Sequence, residues 1–451
     1  MPFRIALSGL DAASTNLKVT GNNIANAATT GYKSSRTEFA DLYANSIQDS
    51  SSASSGQGVK VSRVAQQFAQ GNLEFTTNNL DLAINGGGFF VVEDGSGSPA
   101  YTRAGTFSID RDGAVVDSLD RNVQVFPPID DTGTNFNTGN TTDLLLPTLS
   151  GAPAATQQIT ASLNLSSSEP TPNIPWINGP TDPTDVAYNA ATDPNLESNL
   201  STDMYNHATS TTIYDSLGSS HRATFYYVNT ANAGEWNAYA YIDGTLASFD
   251  AATPQHYAAL NFDANGNIVP SSGDVGPQGR LSIDGWEDNA IPGAGDGSLS
   301  NGASTVTLEF DYANATQYGS GFEVNDLTQD GYSSGRLSGI DISNNGVVSA
   351  RFTNGQSNTL GQLAMAKFNS VENLRQMGDT SWSETHASGD VQLGASGTSS
   401  FGLIQSGALE NSNVDVAAQL VNLIMAQRQF QANAQVITTA DTVTQTIINL
   451  R

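Results

Sequence analysis

The sequence predicts a multidomain α+β protein. Long helices at the two ends of the chain pair as a coiled-coil-like domain and enclose a β-rich domain, into which a further β-rich domain is inserted. Three observations predict this. Apolar residues recur at 4-3 spacing near both termini. The long stretch between them alternates apolar and polar residues and is broken by Gly, Asp and Asn turns. Charge is spread unevenly. Residues 1–63 hold six Lys/Arg against four Asp/Glu, residues 402–451 hold two against three, and the middle holds nine against 37 of a chain with net charge −27.

The first 28 residues read as a helix. Pro2 fits a first turn, where its missing N–H costs nothing. Phe3, Leu7, Leu10, Leu17, Ile24 and Ala28 form a seam for another helix, with Ser14 and Gly21 in the remaining slots. Such a helix is about 40 Å long. It dissolves into "GNNIANAATTGYKSSR", where Asn side chains can satisfy backbone groups at a helix end and Gly permits a turn.

Val414 to Leu450 reads as the second helix, without Gly or Pro and with a capping-box-like start at Ser412 and Asp415. Val416, Leu420, Leu423, Phe430, Ala434 and Ile437 make one seam, and Val436, Ala440, Val443, Ile447 and Leu450 another. The phase slip between them predicts two partners rather than one strict coiled coil. Gln419, Asn422, Gln427, Gln429, Gln431, Asn433 and Gln435 make the polar face amide-rich, and Arg428 is the only charge between Val416 and Ala440. A solvated helix normally carries ion pairs, so this face is expected to be crowded by neighbours.

Between the helices, "FSIDRDGAVV", "LNFDANGNIV" and "IDISNNGVVSARF" each place a turn between apolar runs and read as hairpins. A calcium loop would need a Glu at its twelfth position, where Phe352 and Leu119 stand instead. Residues 128–210 are rich in Pro, Thr, Asn and Ser, and clear strands return with "STTIYDSLGSSHRATFYYVN". The insertion is read as 148–312.

No catalytic, cofactor-binding or metal site is expected. His207, His221, His256 and His386 share no metal-ligand spacing, and "NGGGFF" lacks the Lys-Ser/Thr of a phosphate loop. Its glycines read instead as a bulge or a close backbone approach. The acidic middle excludes a nucleic-acid face. No apolar run of about 18 residues exists to enter a membrane. The apolar start is too short and too soon interrupted for a cleaved signal peptide. Absence of cysteine removes disulfide and thiol chemistry.

Two segments carry a family resemblance. "SGLDAASTNLKVTGNNIANAATTGYKSSRTEFADL" resembles the N-terminal motif of the bacterial flagellar rod/hook axial proteins, and "SGALENSNVDVAAQLVNLIMAQRQFQANAQVITTADTVTQTIINLR" resembles their C-terminal motif. "LDLAINGGGFFVV" and "YTRAGTFSIDRDG" are similar to segments shared by distal rod and hook members. "NDLTQDGYSSGRLSGIDISNNGVVSARFTNGQ", "LGQLAMAKF" and "GDTSWSETHASGDV" point to the hook branch. Residues 148–312 match poorly.

The resemblance implies a layered subunit. Residues 1–28 and 406–451 would form an inner, channel-lining helical domain. Residues 29–70 and 386–405 would form a connecting segment, 71–147 and 313–385 a β-rich middle domain, and 148–312 an outer β-rich domain. It implies that Asn23 and Asn26 end the inner helix and that Gly31, Tyr32 and Lys33 start the connecting segment. Many copies would build a helical tube, the hook, a universal joint between rod and filament. The implied partners are further copies of the chain, the distal rod protein, the hook cap protein, the hook–filament junction protein and the flagellar type III export apparatus. The implied location is the extracellular hook at the basal body, reached without a cleaved signal peptide. Assembly would pair Leu7, Leu10, Leu17 and Ile24 with Leu420, Leu423, Phe430 and Ile437. An isolated helix pair is marginal, so the termini are expected to order only in the polymer.

Overall fold

The computed structural model describes residues 2–42, 57–130, 133–147, 151–174, 200–247, 257–269, 280–286, 301–398 and 400–449, together with 176, 197 and 299. The chain forms two compact units, Met1–Thr148 with Ser338–Arg351 and Ser357–Arg451, and Leu149–Leu337 with Phe352–Gln356.

The first unit holds two helices, α1 (Pro2–Ala25) and α2 (Val416–Asn449). The last helical bond of α1 runs from Asn26 N to Asn22 O at 3.1 Å, and the Asn26 side chain bonds the same carbonyl at 3.0 Å. The helix therefore stops three residues before the periodicity does. α2 starts at Val416 because the Asp415 carboxylate accepts from Ala417 N at 2.9 Å and Ala418 N at 3.1 Å. Asp415 is thus the N-cap, while Ser412 only accepts from Val414 N at 3.3 Å. A two-stranded ribbon, Ser35–Asp41 against Val59–Gln66, packs beside α1.

The rest of this unit is an antiparallel sheet whose main path runs Leu337–Ile342, Val347–Phe352, Ser357–Lys367, Asn122–Phe126, Phe89–Glu93, Pro99–Thr102, Ser381–Ser383, Arg375–Gly378. Strand "FFVVE" is buried on both faces. Phe90 and Val92 join one core with Val123, Val125, Leu363 and Met365, while Phe89 and Val91 join another with Tyr101, Phe126 and Trp382. The preceding glycines serve close approach. A Cβ on Gly86, at φ +121°, would lie 2.9 Å from the Gly402 Cα.

The three hairpin turns share one geometry. Gly113, Gly266 and Gly346 donate to Asp110 O, Asp263 O and Ser343 O at 3.0, 2.9 and 2.8 Å. Only the glycine of each takes positive φ, at +87°, +80° and +78°. These are type I turns closed by a left-handed glycine. Asn and Asp contribute side-chain bonds instead, such as the Asp263 carboxylate accepting from Asn265 N and Asn267 N.

The second unit contains a four-stranded sheet (Arg280–Trp286, Val306–Asp311, Gln158–Asn164, Glu323–Gln329) and a five-stranded antiparallel sheet (His207–Tyr214, Ser220–Asn229, Glu235–Ile242, Thr245–Leu246, Ala258–Asn261). Ile159, Ala161 and Leu163 of the first meet Phe225, Tyr227, Trp236 and Ala238 of the second in one core. The unit extends past the 312 boundary read from sequence. Glu323–Gln329 pairs antiparallel with Gln158–Asn164, which draws 313–337 into it. A pairing across roughly 160 residues leaves no local trace.

Burial sets an alkaline limit. The Tyr101 ring is 2% exposed, and burial pushes its hydroxyl up to about 12 from 10.0. Burial also raises Tyr227, Tyr239 and Tyr312. Each ring is neutral in the fold. For Tyr101 the stabilisation is whole below pH 10.0 and is lost as pH rises through about 12. Each tenfold difference in proton affinity between the folded and unfolded chain is worth about 1.4 kcal/mol. Tyrosinate absorbance is expected to rise cooperatively with unfolding in that window. A gradual titration centred on the ordinary tyrosine value, with circular dichroism unchanged, would contradict it.

Candidate functional site

α1 and α2 run antiparallel in contact. The Asn433 side chain lies 2.8 Å from where a Cβ on Gly9 would stand, and Asn23 Nδ2 donates to Gln419 Oε1 at 3.3 Å. The two contacts are two heptads apart on each helix, in opposite directions. Midway on α2, Ala426 is fully buried. On α1 the buried residues are Ala6, Ala12, Ala13, Thr20 and Asn23. Small residues and amides therefore make the close contact.

The large residues of the sequence-read seam divide between exposed and half-buried positions. Phe3, Leu7, Leu420, Phe430 and Val443 are exposed. Leu10, Leu17, Ile24, Leu423 and Ile437 are half-buried. The side chain of Ile447, and Leu450, lie outside the described residues. The small residues at heptad spacing, Ala6, Ala13 and Thr20, were the available signal for the contact face. Amides of α2 divide between faces. Gln419 and Asn433 turn towards α1, while Asn422, Gln427, Gln429, Gln431 and Gln435 are exposed.

Below the helices both chain ends meet in one buried junction. Asn23 holds Ser35 by both backbone groups, accepting from its N at 2.9 Å and donating to its O at 2.8 Å. The Tyr32 hydroxyl donates to Asn23 Oδ1 at 3.3 Å. Asn26 Oδ1 accepts from Thr29 Oγ1 at 3.2 Å, which folds the segment after the helix. Gly31 turns the chain at φ +70° and donates to Glu410 O at 2.7 Å. Lys33 Nζ, 1% exposed, reaches Glu410 Oε1 at 2.6 Å and Ala69 O at 2.9 Å.

Glu410 is the hub. Its carboxylate, fully buried, also accepts from Arg103 Nη1 at 3.1 Å and Gly71 N at 2.8 Å. It thus binds three segments more than 300 residues away in sequence. Asn413 adds a further tie, accepting from Ser34 N at 2.8 Å and donating to Gln67 O at 2.7 Å. Burial lowers the Lys33 and Arg103 proton affinities, and the Glu410 charge opposes that shift in both. Two cations share one anion here, and Arg103 Nε meets no partner among the described residues. The arrangement clamps chain segments together. It presents no nucleophile or open metal position. Glu410 and Arg103 stand in the motifs "SGALENSNVD" and "YTRAG", but sequence reasoning singled out only Lys33.

Family models match at both ends and between. Residues 3–33 match the model described as flagella basal body rod protein, and 405–450 that of the flagellar basal body rod FlgEFG protein C-terminal. Residues 83–159 match the flagellar hook protein FlgE/F/G D1 domain, and 181–332 the flagellar basal body protein FlaE D2 domain. The flagellar hook protein FlgE of Escherichia coli is 35% identical over the whole of both chains.

The chain belongs to the flagellar hook protein family.

Other members of the family are as fully aligned. The FlgE of Salmonella typhimurium is 34% identical over all of both chains, and that of Borreliella burgdorferi is 30% identical over 99% of this chain and 98% of its own. The crystal structure of Helicobacter pylori flagellar hook protein FlgE2 shares the fold at TM-score 0.50 and 16% identity, covering 75% of this chain and all of that one. Among the described residues no helix is long and apolar enough to cross a membrane.

Proposed function

We propose that this chain is a structural subunit of the bacterial flagellar hook, polymerising into a tube that transmits torque from rod to filament and encloses an export channel. The observation on the chain itself that carries the reading is the helix pair. Its exposed apolar side chains, Phe3, Leu7, Leu420, Val421, Ile424 and Phe430, stand ready to be covered by other copies. Covering them contributes roughly 25 cal/mol per Å². Residues 1–28 and 406–451 act as the inner, coiled-coil-like domain, and the second unit, 149–337, as the inserted outer domain facing solvent. The exposed amides of α2 face the channel, where neutral polar groups hold unfolded cargo of neither sign strongly. The distal rod protein, cap protein, junction protein and type III export apparatus are the further partners.

The test is immunogold labelling of purified flagellar bases with antibody against residues 148–312. Gold along the curved segment between rod and filament is expected. Gold confined to the straight rod would make this a distal rod protein instead. Limited proteolysis gives a second check, because both termini are expected to be cut in the free subunit and protected in the polymer.

A further inference from the structure

A cleft of about 570 Å³ opens in the first unit among the last turns of α1, the ribbon and the Arg375–Gly378/Ser381–Ser383 hairpin. Its walls include Asn22, Asn26, Ser118, Gln376, Asp379 and Thr380. Asp379 is its single charged wall residue.

The hairpin tip at this cleft is strained. Asp379 and Thr380 form its two-residue loop and both take positive φ, +45° and +52°. That loop type favours Asn-Gly, and a β-branched residue is out of place in it. Among the described residues, four that are not glycine have positive φ. Two of the four are these.

The chain's own fold makes no use of the two strained side chains. The Thr380 hydroxyl donates only to the neighbouring Asp379 carbonyl, at 2.8 Å. The bond that ties the tip to the sheet runs from Thr102 Oγ1 to the Thr380 backbone oxygen and would suit any residue. Among the described residues the Asp379 carboxylate has no hydrogen-bond or ion-pair partner. Strain retained where it serves no internal contact marks a binding position.

We infer that this cleft seats a second copy of the chain, with Asp379 and Thr380 as its contact residues. The inference rests on the polymer reading above. Low wall charge admits this occupant. Copies of a chain with net charge −27 repel one another, and a cleft walled by amides and hydroxyls with one carboxylate lets them approach at low electrostatic cost. Exposed Val64 on the cleft wall supplies apolar area for the contact. Val19 and Asn22 of α1 line the cleft, so it adjoins the helix pair that the polymer reading covers.

The cysteine-free chain allows a clean test. Q376C places one thiol in the cleft, and S96C places one in an exposed turn as control. Maleimide labelling of Q376C is expected to fall about tenfold from free subunit to purified hooks, relative to the control. Hooks whose Q376C thiol labels as fast as in the free subunit would overturn the seat while leaving the hook role standing. Failure of the unmodified chain to appear in hooks at all would overturn both. A second variant, D379N/T380G, installs the preferred turn. The free subunit is expected to melt roughly 2–4 °C higher while hooks per cell fall about tenfold. A higher melting temperature with normal hook number, or no rise in melting temperature, would each refute the inference.

Discussion

Replacing Glu410 by Ala is expected to cost the first unit about 3–5 kcal/mol, because it leaves two buried cations without their anion. Lys33 and Arg103 are 1% and 5% exposed and have no route to water in place. Ala69 O and Gly86 O still accept from them, but neutral carbonyls do not offset two charges. Gly71 N would lose its acceptor as well. E410Q keeps the shape and one acceptor, so its loss should be smaller but still above about 2 kcal/mol. K33M removes one of the competing cations and leaves Glu410 paired with Arg103, so it should be tolerated better than E410A. Thermal unfolding of the three variants checks this ranking. A loss for E410A below about 1 kcal/mol would mean that the junction is open to water and contributes little to the fold.

Gly31→Ala is expected to cost about 2–4 kcal/mol through two additive causes. The residue sits at φ +70°, where a Cβ is strained by roughly 1–2 kcal/mol. That Cβ would also stand 2.5 Å from Ala104 N and 2.8 Å from Arg103 C, which are backbone atoms that cannot step aside. The push falls on Arg103, so the variant also disturbs the Glu410 hub. G31A and E410A should therefore be non-additive, the double variant losing less than the sum. Gly21→Ala is the control. Nothing lies within 4 Å of its added Cβ, and the position is helical, so stability should rise by up to about 1 kcal/mol. Equal effects at Gly31 and Gly21 in chemical denaturation would rule out the steric account.

Helices were legible where a local period repeats. The apolar spacing of Phe3 to Ile24 and of Val416 to Ile437 announced α1 and α2 within a few residues of their ends. Turn chemistry located three hairpins through Gly113, Gly266 and Gly346. The closest contacts of the helix pair fall on residues that periodicity does not weight, for a physical reason. Periodicity weights large apolar residues, whereas two helices approach most closely where Gly9, Ala13 and Ala426 leave room. Of the seam leucines, Leu10, Leu17 and Leu423 are half-buried, and Leu7 and Leu420 stay exposed.

The sequence by itself determined the class of the fold, its helical ends, its hairpins and its family. All of these depend on residues a few positions apart, or on motifs matched whole. Tertiary structure alone decided that Glu410 would face Lys33 and Arg103, that 313–337 would join the second unit, and that Asp379 and Thr380 would border a cleft. Each depends on segments brought together across hundreds of residues. A buried ion and a solvated one are written with the same letter, and only the surrounding fold decides which it is.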